Sequence, residues 1–424
     1  MSYKDSLDYL YSLERFGMIF GLDNISRLLS LLGDPHRRLR TVHITGSNGK
    51  GSVSAMMAEI LSRRWRVGLY TSPHLHSFTE RVKINDREIE EGEVVRLVEL
   101  LRRKVEKEGG PEHFTFFDFT TAITFQYFAE KEVDLAVIEV GLGGRLDSTN
   151  VITPQVSVIT TVSKEHTQVL GSSLSEIARE KAGIIKEEVP VVCGVREEEA
   201  LKVIEEEAKE KGAPLFLLGR DFHYRERGAQ QLDFSGRRWR MEGLEVGLLG
   251  RFQLFNASLA IAALEVLAEK GYAVSEADIR EGLQEIRWPG RMEVVREAPL
   301  LILDGAHNGE GARALKEALR DIRYRELLLL LGIMDDKDVE AIVRELAPLA
   351  RLVVTSRPSN PRALPPRRIA EVARRFCPRV KEREEMREGV SLILEEASRE
   401  DLVLITGSLF TVADARQILL GGEG

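Results

Sequence analysis

The glycine-rich segment at residues 46–52 constrains the fold of this chain more than any other stretch. It follows a β-branched run at 42–45, which predicts a short strand. It precedes apolar residues at the spacing of one helix face, namely Val53, Met56, Met57, Ile60 and Leu61. A strand that turns directly into a helix is the first half of a parallel β-α-β unit. The segment therefore predicts an α/β protein.

The same segment has the chemistry of a phosphate site. Glycines at 46, 49 and 51 let the backbone approach phosphate oxygens, and the helix N-terminus favours an anion. Lys50 adds a positive charge, and Ser52 offers a hydroxyl to a magnesium ion. The spacing is shorter than in the common P-loop, because Ile44 stands where that motif has its first glycine. The alternative is a glycine-rich turn that binds nothing.

Apolar runs alternate with helical patterns along most of the chain, which predicts doubly wound, mostly parallel sheets. In the first part, strands are predicted at 42–45, 67–70, 135–140, 156–161 and 189–193, with helices at 120–129 and 175–186. A second series of strands is predicted at 300–303, 327–331, 352–355 and 402–406. Residues 213–250 alternate in polarity and contain turn glycines, which predicts antiparallel hairpins appended to the first sheet. We place a domain boundary near residue 292.

Composition excludes several classes of partner. A net charge of −8, from 60 basic and 68 acidic residues, offers no electrostatic basis for nucleic-acid binding. Cys193 and Cys377 match neither a disulfide framework nor a metal motif, which indicates a reducing compartment. The charged N-terminus does not resemble a signal peptide, and no stretch reaches the roughly 18 to 20 apolar residues of a membrane span. We expect a cytoplasmic protein with no nucleic-acid and no membrane partner.

Several motifs resemble one enzyme family in the same order along the chain. Besides GSNGKGS at 46–52 they are YLYSLERFGMIFGLDNISRLLSLLG at 9–33, TSPHLHSFTERV at 71–82, EVGLGGRLDSTNV at 139–151, REKAGIIK at 179–186, PGRMEV at 289–294, LDGAHN at 303–308 and ITGSLFTVADAR at 405–416. They resemble the folylpolyglutamate synthase and dihydrofolate synthase family of the Mur ligase superfamily. The resemblance implies an ATP-binding domain of the Mur ligase central type with a pterin site at 1–292. It also implies a Rossmann-like, glutamate-binding domain at 293–424 and a monomer.

The resemblance assigns ATP binding to the whole turn, which comprises Gly46, Ser47, Asn48, Gly49, Lys50, Gly51 and Ser52. Asn256 would contact the adenine, although by itself it fits a helix N-cap. Arg291 would reach the γ-phosphate, and the alternative is a solvated turn residue. Asp304 would lie near the ribose. His307 would face both ATP and glutamate, and Ser408 would bind the incoming glutamate.

Two magnesium ions are also implied by the resemblance, with Ser52, Ser72, Glu139 and His166 as ligands. A carboxylate at the end of a strand beside a phosphate site suits this role, but an exposed acid is an equal alternative for Glu139. Family members carry Asp before the histidine, whereas Lys164 and Glu165 precede it here and alter the local charge. Lys181 matches a lysine that is carbamylated in the family, and on sequence alone it is a solvated surface lysine.

For the pterin substrate, the resemblance points to Pro73, His74, Thr115, Phe117 and Asp118. An aromatic ring can stack on a flat pterin or benzoyl group. The alternative is that the phenylalanines at 116 and 117 are core residues. Relatives usually carry Glu at the position of Asp118, so its reach is shorter by one methylene.

These residues predict an ATP-dependent acid–amino-acid ligase. It would add L-glutamate to dihydropteroate, to a folate, or to both, through an acyl phosphate. The catalytic residues would be Lys50, Lys181, Arg291 and His307, and the products ADP and phosphate. One alternative is a Mur-type ligase acting on a cell-wall UDP-sugar precursor. A second alternative, from another class, is a nucleotide-gated binding protein.

Overall fold

Two compact units make up the computed structural model of the chain. Residues 1–16, 21–111 and 114–421 are described, except for the side chains of residues 15 and 16, so part of the 9–33 motif lies outside the described residues. Unit 1 comprises residues 1–225, 233–244 and 256–283. Unit 2 comprises residues 226–232, 245–255 and 284–424.

A mostly parallel sheet forms the centre of unit 1. Its strands are β1 (Thr41–Thr45), β2 (Val67–Tyr70), β3 (Val82–Ile84), β4 (Arg87–Glu88), β5 (Leu135–Glu139), β6 (Val156–Ile159), β7 (Val191–Cys193) and β8 (Leu215–Leu217). They lie in the order β4-β3-β2-β5-β1-β6-β7-β8, and only the pairs that include β3 are antiparallel. The central strands are buried along their whole length, which is why they appear in the sequence as unbroken apolar runs.

Helices connect these strands and cover the sheet. They are α1 (Tyr3–Ser12), α2 (Asp23–Leu31), α3 (Lys50–Ser62), α4 (Glu91–Lys107), α5 (Phe116–Glu130), α6 (Thr167–Leu170), α7 (Leu174–Ala182) and α8 (Glu198–Glu210). Short 3₁₀ helices lie at Leu13–Phe16, Pro35–Arg38, Phe78–Arg81 and Ser148–Val151. Capping boxes at Ser2, Thr115 and Ser173 satisfy free backbone N–H groups, and these fix where α1, α5 and α7 begin.

The segment 213–250 differs in part from its prediction. Leu215–Leu217 is not a hairpin strand, because it pairs in parallel with β7 and extends the main sheet. Its apolar residues lengthen the core, and the carbonyl of Pro214 accepts a hydrogen bond from Val191. The remainder forms a separate three-stranded sheet in the order β11-β10-β9, from β9 (His223–Gly228), β10 (Gln231–Ser235) and β11 (Arg240–Glu245). The helices α9 (Phe252–Glu269) and α10 (Glu276–Glu285) follow.

Among the described residues, one helix, α9, is long and apolar enough to cross a membrane by length and composition. However, 78% of it is buried inside the protein. A helix that is apolar all round and buried in this way is a core helix.

Unit 2 contains a six-stranded sheet. Its strands are β12 (Glu293–Glu297), β13 (Leu300–Leu303), β14 (Leu327–Leu331), β15 (Ala350–Arg357), β16 (Val380–Glu385) and β17 (Leu402–Thr406). They lie in the order β12-β13-β17-β14-β15-β16, and all pairs except β12–β13 are parallel. The helices are α11 (Gly309–Leu319), α12 (Val339–Leu346), α13 (Pro366–Ala373), α14 (Met386–Glu396) and α15 (Leu409–Leu420), with a 3₁₀ helix at Ala347–Leu349. The α/β fold predicted for both parts of the chain is confirmed.

Candidate active site

The glycine-rich turn leaves the carboxyl end of β1, between the ends of β5 and β6. The strand order changes direction at β1, since the chain next forms β2 on the far side of β5 and later forms β6 directly beside β1. In open α/β sheets, ligands bind outside the carboxyl ends of the strands at such a switch point. The fold therefore places the turn where a ligand is expected.

Two glycines of the turn have a backbone that other residues rarely adopt. Gly46 has φ +149°, and an added Cβ would lie 1.8 Å from the Oγ1 of Thr160. Gly49 has φ +88°, and its Cβ would lie 2.4 Å from the Oδ1 of Asn256. Because α9 begins at Phe252, Asn256 lies inside the helix, so the N-cap alternative for this residue is wrong. Its amide faces the turn instead.

The segment after β6 holds the turn in place. The amide of Ser47 donates to the carbonyl of Thr161 at 2.8 Å, and that of Asn48 donates to the Thr161 Oγ1 at 3.0 Å. Thr160 donates its hydroxyl to the carbonyl of Asn48 at 2.6 Å. The Oγ of Ser47 also accepts from the amide of Ser163 at 2.9 Å. The sequence carries no local signal for these anchors, because they join positions more than a hundred residues apart.

The charge and the helix end at this turn suit an anion. Gly49 is the N-cap residue of α3 and offers no side-chain acceptor to the first N–H groups of the helix. The Nζ of Lys50 lies over the turn, 2.9 Å from the carbonyl oxygen of Gly46 and 3.5 Å from that of Ser47. Uncapped N–H groups, a helix dipole and a lysine together form a phosphate-binding arrangement.

A carboxylate lies at the end of the adjacent strand. Glu139 pairs in register with Ile44 of β1, is 5% exposed, and accepts a hydrogen bond from the amide of Ser72 at 3.1 Å. Ser52 is also buried, in the first turn of α3. In the part of the chain that the structure describes, no three His, Cys, Asp or Glu side chains are grouped so that they could hold a metal ion. Oxygen donors with one carboxylate nevertheless fit Mg²⁺, which takes its other ligands from phosphate and water.

Lys181 is not a solvated surface lysine. Its Nζ lies 2.8 Å from the Oε1 of Glu165, and the two side chains are only 1% and 7% exposed. Burial alone would raise the pKa of Glu165, but the charges of Lys181 and Lys50, with hydrogen bonds from Lys181 and Ser47, lower this pKa to about 2. His166 follows with φ +45° and precedes α6. Glu165, noted in the sequence only as a change of local charge, thus connects α7 to the phosphate turn.

The stretch assigned to the pterin forms the start of α5. Thr115 is its N-cap, and Asp118 accepts hydrogen bonds from the Thr115 amide at 3.0 Å and hydroxyl at 2.8 Å. The second oxygen of Asp118 accepts from the Ser148 hydroxyl at 2.7 Å. Phe117 is half-buried against Gly141, where an added Cβ would lie 2.6 Å from its ring. The carboxylate therefore holds the helix start, and the neighbouring ring packs on the glycine after β5.

An arginine without a predicted role contacts His74. The Nε of Arg81 donates to the Nδ1 of His74 at 2.7 Å, and its guanidinium lies 5.2 Å from the ring centre of Phe116. Burial, together with the charge of Arg81, lowers the pKa of His74 to about 4. The imidazole is therefore neutral at physiological pH, and its Nε2 carries the proton. Pro73 is exposed at the surface of the same loop.

In unit 2, Asp304 follows β13 and holds the backbone around it. Its two oxygens accept from the amides of Met292 and Ala306, each at 2.9 Å. Burial raises the pKa of Asp304, and the charge of Arg291 partly opposes this shift. An added Cβ on Gly305 would lie 2.4 Å from the Nη1 of Arg291, so only a glycine at position 305 leaves room for the guanidinium.

The two residues assigned to glutamate lie at neighbouring strand ends of unit 2. The Nδ1 of His307, after β13, is 2.9 Å from the carbonyl oxygen of Gly305. Ser408, after β17, is the N-cap of α15, and its Oγ accepts from the amide of Thr411 at 3.0 Å. Because β13 and β17 are adjacent and parallel, these residues share one edge of the sheet. Their hydrogen bonds to the local backbone keep both side chains in place.

The structure thus brings the predicted residues into two sets. The set in unit 1 comprises the 46–52 turn, Ser72, Glu139, His166, Lys181 and Asn256, with the 73–74 and 115–118 stretches. The set in unit 2 comprises Arg291, Asp304, His307 and Ser408. In both units several of these residues lie at or just after the carboxyl ends of parallel strands, as expected for ligand sites: the turn, Ser72 and Glu139 in unit 1, and Asp304, His307 and Ser408 in unit 2. Lys181 and Asn256 lie on helices, and Arg291 precedes β12.

Two family models match the chain, the Mur ligase middle domain over residues 44–264 and the Mur ligase, glutamate ligase domain over residues 290–409. Folylpolyglutamate synthase of Lacticaseibacillus casei is 35% identical over 433 residues, covering 100% of both sequences. The structure of Mycobacterium tuberculosis folylpolyglutamate synthase complexed with ADP matches with a TM-score of 0.92 and 33% identity over 100% of both chains. E. coli FolC in complex with DHPP and ADP matches with a TM-score of 0.91 and 29% identity, over 100% of this chain and 99% of that one.

These matches extend over the whole length of the chain, and they agree with the two α/β sheets found in the structure. The chain therefore belongs to the Mur ligase family and, within it, to the folylpolyglutamate and dihydrofolate synthases, which are ATP-dependent glutamate ligases.

Proposed function

We propose that this ligase joins L-glutamate to dihydropteroate, to a folate, or to both, with ATP bound at residues 46–52. The observation that carries the proposal is the geometry of this turn, in which two glycines with positive φ and Lys50 surround the uncapped start of α3. The complexes of relatives with ADP, and of E. coli FolC with DHPP, support the same choice of ligands.

The reaction proceeds in two steps. First, a carboxylate oxygen of the pterin acid attacks the γ-phosphorus of ATP, ADP leaves, and an acyl phosphate forms. Then the neutral amino group of glutamate attacks the acyl carbon, phosphate leaves, and the amine gives up a proton as the amide forms. Lys50 neutralises charge on the transferring phosphoryl group, and Arg291 does the same in our assignment. Asn256 contacts the adenine and Asp304 the ribose.

Magnesium is part of this proposal. Ser52, Ser72, Glu139 and His166 would hold two ions, which would shield the charge of the phosphates. Carbamylation of Lys181 also remains a prediction. In the structure its ammonium is paired with Glu165, so the modification requires that this ion pair first be broken.

The two halves of the chain have separate tasks in our proposal. Residues 1–292 form the ATP-binding domain with the pterin site, at residues 73–74 and at Thr115, Phe117 and Asp118. Residues 293–424 form the domain that binds glutamate, through His307 and Ser408. The two family-model ranges, 44–264 and 290–409, support this division. We propose further that the enzyme is a cytoplasmic monomer.

Release of ADP tests the proposal. The assay supplies ATP, Mg²⁺ and L-glutamate with dihydropteroate, tetrahydrofolate, tetrahydrofolate extended by one glutamate, or a UDP-muramyl acid, and omits each component in turn. ADP release that requires both an acid and glutamate supports the proposal, while turnover indifferent to both, or dependent on a UDP-muramyl acid, contradicts it. Lys50→Ala should lower turnover on the order of 100-fold or more, since preorganised charge on the transferring group is lost. The exposed Lys107→Ala is the control and should leave turnover unchanged.

A further inference from the structure

Arg81 lies at the same edge of the sheet as the phosphate turn. It ends the 3₁₀ helix before β3, and its carbonyl accepts a hydrogen bond from the amide of Thr71 at 3.0 Å. Since β3 is antiparallel to β2, the start of β3 lies beside the carboxyl end of β2. Adjacent strands of this sheet lie roughly 4.8 Å apart. Four groups follow one another along this edge, one on each strand: the turn after β1, Glu139 of β5, Ser72 after β2 and Arg81 before β3.

The positive charge of Arg81 has no counterion in the described part of the protein. The residue is 7% exposed, and no described carboxylate lies within ion-pairing distance of its guanidinium. Its only side-chain hydrogen bond among the described residues runs from Nε to the Nδ1 of His74, which accepts it and so brings no negative charge. The two terminal nitrogens have no hydrogen-bond partner there, although a guanidinium can donate five hydrogen bonds.

Nearby acids are engaged elsewhere. Glu80, the preceding residue, accepts hydrogen bonds from three backbone amides at 2.7 to 2.8 Å, those of Leu75, His76 and Ser77. Glu139 accepts from the amide of Ser72 and acts on Arg81 only through its charge, as Glu14 does. A buried charge is normally paired, because an unpaired one is destabilising. The structure therefore keeps a buried cation for which the described residues supply no anion.

We propose that Arg81 binds the carboxylate of the pterin acid and the acyl phosphate formed from it. This inference rests on the proposed function. A planar guanidinium matches a carboxylate or phosphate with two parallel hydrogen bonds. The acid must reach from the aromatic residues at the start of α5 to the phosphate turn, and Arg81 contacts Phe116 of that helix while lying on the turn's edge of the sheet. The carboxylate is the only anionic group of dihydropteroate, so it is the partner that the unpaired charge requires.

A pair of ligands that differ only at this group tests the proposal. Dihydropteroate and its carboxamide have the same size, but only the acid is charged. Isothermal titration should show that the wild-type protein binds the acid about 10- to 100-fold more tightly than the carboxamide. Arg81→Met should remove this preference by lowering the affinity for the acid alone. Arg81→Lys should restore part of the preference. In turnover, Arg81→Met should lower kcat/KM for the acid and leave the KM for ATP unchanged.

Controls separate this role from a structural one. Arg102 also lies over an aromatic ring, that of Tyr9, but it is exposed and paired with Glu106, so Arg102→Met should keep the wild-type preference. Carboxamide binding by Arg81→Met reports that the site is still folded. The proposal would be overturned if Arg81→Met weakened the binding of the acid and of the carboxamide equally, or weakened the binding of neither. If the wild-type protein binds neither pterin compound, the proposed function itself fails, and the role of Arg81 fails with it.

Discussion

Separating the buried ion pair between Glu165 and Lys181 should strongly destabilise unit 1. The two groups are 2.8 Å apart, and their side chains are 7% and 1% exposed. Glu165→Gln removes the carboxylate and leaves the ammonium buried, whereas Lys181→Met leaves the carboxylate with the charge of Lys50 and the hydrogen bond from Ser47. Either change removes one member of a buried ion pair and keeps the other charge buried, which is far less favourable than the intact pair.

Two estimates of the loss in the free energy of unfolding agree. Removing one member of a buried pair lowers the free energy of unfolding by about 3 to 5 kcal/mol. The pKa of Glu165 falls from 4.5 to about 2, and at about 1.4 kcal/mol per unit this corresponds to about 3 kcal/mol. Because the folded-state pKa is lowered, this stability is present above about pH 5 and is lost as the pH falls towards 2. We expect Glu165→Gln to lose about 3 kcal/mol at neutral pH, and Lys181→Met somewhat less.

Urea unfolding measured by tryptophan fluorescence provides the assay. A Trp288→Phe background confines the signal to unit 1, since Trp65 and Trp239 are the remaining tryptophans. Buffers should lack magnesium and bicarbonate, so that neither a metal ion nor carbamylation replaces the ion pair. The double variant should be more stable than the two single losses together predict, by about 2 kcal/mol.

An exposed pair on α4 supplies the matched control. Arg102 and Glu106 are 2.7 Å apart but 39% and 51% exposed, and breaking this pair should change stability by only about 0.5 kcal/mol. The reasoning would be refuted if the Glu165 and Lys181 variants each stayed within about 1 kcal/mol of the parent, or if their effects were simply additive.

Three further predictions concern the turn, the sheet and α5. Gly49→Ala should abolish ATP binding in isothermal titration, because its Cβ would lie 2.4 Å from the Oδ1 of Asn256 and φ is +88°; retained affinity would contradict the phosphate assignment. Burial lowers the pKa of His43 to about 3, so NMR should find its imidazole neutral above about pH 4. Protonation of the unfolded chain then lowers stability as the pH falls below 6.5, and a His43 signal titrating near 6.5 would refute this. Asp118→Asn should weaken the capping box with Thr115 and lower the free energy of unfolding by about 1 kcal/mol in urea, and an unchanged midpoint would count against this role.

Features that depend on neighbouring residues were predictable. The strand at β1, the glycine turn and the face of α3 follow from residues within about twenty positions of one another. The strands β13 and β17 were placed at their observed bounds, because a buried parallel strand is a short apolar run. The strand predicted at 189–193 begins at Val191 instead, since Pro190 has no N–H to donate to the ladder.

The sequence by itself determined that a glycine-rich turn joins a strand to a helix, because turn chemistry and apolar periodicity are local properties. Only the tertiary structure decided what surrounds that turn. It placed Glu165 between Lys181 and the turn, and it left Arg81 buried without a counterion among the described residues. Such pairings depend on which strands become neighbours in the sheet, and a single sequence does not specify that order.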